Sequence, residues 1–188
     1  MATQTENSNS LQSLLRAARD AGKSLPPVHL WEPEYCGTMD LVIKRDGSWW
    51  HDGARITRQP LTRLFSTILR KDDDGIHYLV TPVEKIAIEV EVAPFVAVRV
   101  DAAGAGKEQS LIFTTNFGDV VEADAKMPIS VTCDDGSGEP TPLVRVRGQL
   151  DALMSRPVFY ELAELAVQED GVMGVWSGGV FFALERTD

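Results

Sequence analysis

The stretch Thr57-Arg58-Gln59-Pro60-Leu61-Thr62-Arg63-Leu64-Phe65-Ser66-Thr67-Ile68-Leu69-Arg70 has a degenerate second copy near the C-terminus, Ser155-Arg156-Pro157-Val158-Phe159-Tyr160-Glu161-Leu162-Ala163-Glu164-Leu165-Ala166. In each copy a hydroxyl residue suited to an N-cap precedes an Arg, a Pro sits in the first turn, and apolar residues follow at helical spacing. Counted from the Arg, Leu61 matches Phe159, Leu64 matches Leu162, Phe65 matches Ala163 and Ile68 matches Ala166. Each run then meets an acidic turn ending in Asp-Gly, at Asp74-Gly75 and Asp170-Gly171, before a strand-like run. Such recurrence constrains the chain to two related helix-then-strand modules, an internal duplication.

The chain has 188 residues, 44% of them hydrophobic, enough for one generous domain or two small ones. Its formal charge of −10 argues against nucleic-acid binding, which needs a basic surface. From Lys44 to Lys71, however, seven basic residues face only two acidic ones. This island suits a small anion, against the competing reading of scattered, solvated arginines. Cys36 and Cys133 fall in no motif, and neither a signal-peptide pattern nor an apolar run of about 18 residues is present. A cytosolic, non-membrane protein with reduced thiols is expected.

Along the chain, Met1 to Ser10 is polar and expected to be disordered, and Leu11 to Ala21 has helical spacing before Gly22. Strands are expected from Thr38. Asp46-Gly47 suggests a tight two-residue hairpin, and Asp52-Gly53 a second reversal. Ile86, Ile88, Val90 and Val92 alternate with Ala87, Glu89, Glu91 and Ala93, the period of a strand with one wet face. Further strands are expected at His77 to Thr81, Phe95 to Val100, Leu111 to Thr115, Val120-Val121, Leu143 to Val146, Gly174 to Trp176 and Val180 to Leu184. The fold class is α+β, mainly antiparallel strands with three helices. Its expected division is a tail and helix over 1–24, an N-terminal α+β part over 25–75 and a C-terminal β-rich part over 76–188.

Candidate chemistry centres on the two arginines. At about 100° per residue, Leu61, Leu64, Phe65, Ile68 and Leu69 share one arc that also contains Arg58, whereas Arg63 and Arg70 lie on the opposite, solvated side. Arg58, and by repetition Arg156, is thus expected on the packed side beside amides without helical partners, where an anion can bind. The alternative is pairing with a structural carboxylate such as Asp46, Glu84 or Asp151. Either way an Arg at a helix N-terminus opposes the macrodipole and calls for negative charge nearby. Thr81-Pro82-Val83-Glu84-Lys85 places a hydroxyl, a carboxylate and an amine within five residues, as a ligand clamp or acid–base pair, or as a plain Pro-containing turn. Asn116 follows Thr114-Thr115 as a ligand contact or turn former, and Trp49 is a candidate for stacking a ligand or for the core.

Other signatures fail. His29, His51 and His77 lack metal-ligand spacing, Gly104-Ala105-Gly106-Lys107 lacks the rest of a phosphate loop, and Ser177-Gly178-Gly179 suits a strand turn rather than a nucleophile elbow.

Several of these residues resemble a bacterial family, the domain-of-unknown-function family numbered 1285. The resemblance rests on Trp31, Gly37, Asp46-Gly47-Ser48-Trp49, Gly53-Ala54-Arg55-Ile56-Thr57-Arg58, Leu64-Phe65, Tyr78-Leu79-Val80-Thr81-Pro82-Val83-Glu84-Lys85, Pro94-Phe95, Thr115-Asn116, Arg156-Pro157-Val158-Phe159-Tyr160 and Ser177-Gly178-Gly179. It covers nearly everything from Trp31 onward, with Pro157 a small departure. The resemblance implies a duplicated two-part body, a C-terminal part similar to pleckstrin-homology-like folds, and a nucleotide-like ligand between the parts in a signalling role. It brings no residue-level ligand assignment. The expectation is therefore a non-catalytic cytosolic sensor of a small anionic ligand, with Arg58, Arg156, Thr81, Glu84, Lys85, Asn116 and Trp49 as ligand-binding residues and no cofactor or metal. The alternatives are a protein-interaction module using a sheet edge or the residue 11–21 helix, and an enzyme using Glu84 and Lys85.

Overall fold

A computed structural model describes residues 24–133 and 137–185, which form two compact units meeting in sequence at Val92 and Ala93. The expected tail of residues 1–10, the helix of residues 11–21 and the loop start at residues 134–136 lie outside the described residues. Among the described residues there are two α-helices, and strands predominate.

The first unit holds β1 (Tyr35–Ile43), β2 (Trp49–His51), β3 (Ala54–Arg55), α1 (Gln59–Thr67), β4 (Leu69–Lys71), β5 (His77–Val80) and β6 (Lys85–Val90). Their sheet order is β3-β2-β1-β6-β5-β4. Every ladder is antiparallel except the central one, where β1 and β6 run parallel with Thr38 opposite Ala87 and Ile43 opposite Val90. Because β5 and β6 belong to this sheet, the boundary follows Val92 rather than falling at residue 75/76 as expected.

Two local expectations are corrected here. The helix ends at Thr67 instead of running to Arg70: Ile68 caps it, and Leu69 to Lys71 become a strand opposite Leu79 to His77. Helical hydroxyls mark that end, with Ser66 Oγ donating to Arg63 O (2.7 Å) and Thr67 Oγ1 to Leu64 O (2.6 Å), bonds that compete with the helical ladder. The Asp46-Gly47 hairpin is a three-residue loop with only Gly47 at positive φ, and Asp46 Oδ1 accepts from Ser48 N (2.9 Å). In this unit the two-residue turn with positive φ at both positions is Asp52-Gly53, between His51 and its partner Ala54.

The second unit holds β7 (Phe95–Ala103), β8 (Ser110–Thr115), β9 (Val120–Glu122), β10 (Ile129–Cys133), β11 (Pro140–Arg147), β12 (Leu150–Met154), α2 (Arg156–Glu164), β13 (Val167–Glu169), β14 (Val172–Ser177) and β15 (Val180–Ala183). Its six-stranded sheet has the order β10-β11-β12-β7-β8-β9, with β7 and β12 parallel at the centre. Renumbered from its first strand, that order is the one found in the first unit. The duplication therefore holds for the sheets.

The helices obey a different repeat. α1 joins the third and fourth strands of its sheet, whereas α2 follows the sixth strand of the other. What the sequence repeat marks is a helix followed by a three-stranded antiparallel meander, α1-β4-β5-β6 in one unit and α2-β13-β14-β15 in the other.

The core of the first unit gathers Met39, Leu41, Ile43, Trp49, Phe65, Ile68, Leu69, Leu79 and Ile86, with Trp49 and Phe65 stacked at 6.2 Å. That of the second gathers Phe95, Ala97, Leu111, Phe113, Val144, Leu153, Val158, Leu162 and Val175. Buried Ser177 ties β14 to the larger sheet, accepting from Leu111 N (2.8 Å) and donating to Ala123 O (2.6 Å). Beside it, a Cβ on Gly174 would overlap the Phe182 carbonyl and lie 2.5 Å from Phe181 Cζ. Gly174→Ala is therefore expected to destabilise the protein by about 1–3 kcal/mol, the usual cost of overpacking, measured as a lower urea midpoint at unchanged slope.

Candidate functional site

Arg58 is the N-cap of α1 in extended conformation (φ −79°, ψ 95°). The helical wheel does not apply to it, so its side chain is exposed rather than aimed at the packed side. Its carbonyl takes the amides of Leu61 (3.0 Å) and Thr62 (3.3 Å), but no side chain caps the helix and the first turn has no acidic residue. Among the described residues Arg58 makes no ion pair. Two of the carboxylates proposed to neutralise these arginines are engaged elsewhere: Asp46 binds Ser48, and Asp151 takes the Arg145 guanidinium at 2.5 Å.

Arg156 opens α2 behind the expected N-cap, Ser155. Its side chain is 84% exposed and reaches Glu139 Oε1 only at 3.8 Å. A contact so long and wet adds little. Each unit thus starts a helix beside an exposed Arg, which is the N-cap in α1 and the first helical residue in α2.

The remaining sequence-selected residues have defined internal tasks. Thr81 is buried at the β5–β6 turn, where its Oγ1 accepts from Val83 N (3.3 Å) and Glu84 N (3.1 Å) while its own amide donates to Glu84 O (2.9 Å). Glu84 completes that turn and is half-buried. Asn116, exposed, accepts from Val96 N (3.0 Å) and returns its own amide to Val96 O (2.8 Å), fastening the β8–β9 turn to β7. Trp49 is 1% exposed and lies in the core stack.

Lys85 leads to a cluster that sequence reasoning missed. Its Nζ donates to Asp72 Oδ2 (3.0 Å) and lies 4.4 Å from the Tyr78 ring centroid. Asp72 is also gripped by Arg70, Nε to Oδ1 at 2.6 Å and Nη2 to Oδ2 at 3.1 Å, and the Tyr78 hydroxyl donates to Asp74 Oδ2 at 2.7 Å. Arg70 looked like a solvated helix residue and Asp72 to Asp74 like a turn. Once Arg70 is in β4 it stands opposite Tyr78, and the cluster follows from the ladder. Signals available in the sequence were the Asp-rich turn beside Arg70 and the Tyr at strand spacing beyond it.

Burial would raise the Asp72 carboxyl, but the Arg70 and Lys85 hydrogen bonds outweigh it and hold it below the ordinary carboxylate value. The hydrogen bond to Asp74, with burial adding, pushes Tyr78 up to about 12. In the second unit Arg147 spans Asp119 (2.8 Å) and the Phe95 ring (4.9 Å), and burial draws its pKa down against the Asp119 attraction. Among the described residues, no three His, Cys, Asp or Glu side chains are grouped to hold a metal, and no helix is long and apolar enough to cross a membrane.

Two pH dependences follow. Tyr78 is raised when folded, so its contribution is complete below the unfolded phenol pKa of about 10 and is lost as pH rises through about 12. Between those values wild type should lose more stability than Tyr78→Phe, by chemical denaturation. Asp72 is lowered, so its contribution is present above about pH 4 and is lost as pH falls through its folded pKa. Asp72→Asn should cost about 1.5–3 kcal/mol at neutral pH and flatten the acid limb of the same curve.

Comparison with known proteins bears on both units. Residues 26–93 match the family model described as the N-terminal domain of a domain of unknown function, DUF1285, and residues 94–184 match its C-terminal domain. No curated protein matches the chain. A crystal structure of a DUF1285 family protein from Silicibacter pomeroyi DSS-3 is similar at 48% identity and a TM-score of 0.86, over 91% of this chain and 93% of that one. A second, from Shewanella baltica OS155, is similar at 25% identity and a TM-score of 0.52, over 66% of this chain and 90% of that one. With both domain models matched in order along nearly all the described residues, the chain belongs to the DUF1285 family.

Proposed function

We propose that this protein is a non-catalytic, cytosolic ligand-binding protein that senses a small anionic, nucleotide-like ligand in signal transduction. One observation carries the reading: an exposed guanidinium without an ion pair among the described residues stands at the uncapped N-terminus of α1, where no acidic residue offsets it. Positive charge on the positive end of a helix is unfavourable until an anion arrives. Binding at that point relieves the repulsion and gains charge-assisted hydrogen bonds. Arg156, the first residue of the likewise uncapped α2 with only a long contact to Glu139 (3.8 Å), serves as the corresponding contact of the second unit. Thr81, Asn116 and Trp49 act in this account by holding turns and core, with Glu84 and Lys85 as polar neighbours rather than an acid–base pair. The likeness of the second unit to pleckstrin-homology-like folds is part of the same proposal, supported by its antiparallel meanders and the helix that follows them.

A second reading, an interaction module, is favoured by the large apolar side chains left on the surface. In the first unit Leu30 and Val83 are 70% and 74% exposed; in the second Val120 and Tyr160 are 68% and 64% exposed.

Thermal-shift measurements against nucleotides, cyclic nucleotides and phosphorylated metabolites separate the two. A ligand at about 100 times its dissociation constant should add roughly 2.7 kcal/mol, and Arg58→Ala, at an exposed site, should fold normally and lose that shift. No shift with any anion, or a shift unchanged in both Arg58→Ala and Arg156→Ala, would leave the interaction module as the better account.

A further inference from the structure

We draw no further inference here: the strongest candidate, the face of the β13–β15 meander where half-buried Trp176 and Phe181 lie 5.4 Å apart with Lys107 over the Trp176 ring, is a surface patch, and nothing in the structure shows what ligand or partner covers it.

Discussion

Each unit depends on a parallel pairing between the first and last strands of its sheet, β1 with β6 and β7 with β12. Parallel neighbours cannot be joined by a hairpin. The chain must travel out along one three-stranded meander and return through another before the central ladder can close. The central strands accordingly supply deeply buried side chains, Leu41 and Ile43 in the first unit and Phe95, Ala97 and Ala152 in the second. The local turns, Asp52-Gly53 among them, set each meander, but the long-range ladder decides that six strands make one sheet.

Much of this was legible in the sequence, and the failures have physical causes. The repeated Arg-Pro helix starts and the Asp-Gly turns carry local chemistry, so they could be read directly. Strand β4 was hidden because Ile68 and Leu69 continue the helical apolar period; only pairing with Leu79 pulls them into the sheet. Strands β10 and β12 were missed although Gly148 and the Asp134-Asp135-Gly136 run mark turns beside them. The boundary at Val92 was missed because an Asp-Gly turn inside a meander looks like one between parts. The two repeats are also offset: sheet order recurs along the whole unit, whereas the helix recurs with the meander that follows it.

The same long-range pairing explains why the candidate site was only partly visible. Arg58 and Arg156 were found because helix starts are local features. Arg70–Asp72 and Asp74–Tyr78 are local contacts, but the two pairs join into one cluster only when β4 and β5 pair, which a helical reading of Arg70 hides. In the resulting division, Arg70 and Lys85 hold Asp72, Arg70 also binds the Val28 and Trp31 carbonyls ahead of β1, Arg147 braces the second unit, and the helix-start arginines remain turned to solvent. An acidic chain therefore keeps an exposed guanidinium at each helix start, where helix geometry adds to its positive field.

Residue-level hydrogen exchange on the intact chain measures the closing ladders most directly. The slowest amides of each unit should lie in its central pair, β1 and β6 in one and β7 and β12 in the other, with the β13–β15 meander exchanging sooner. If the outer meanders outlast the parallel pairs, the sheets are held by their hairpins, and the central constraint argued here is wrong.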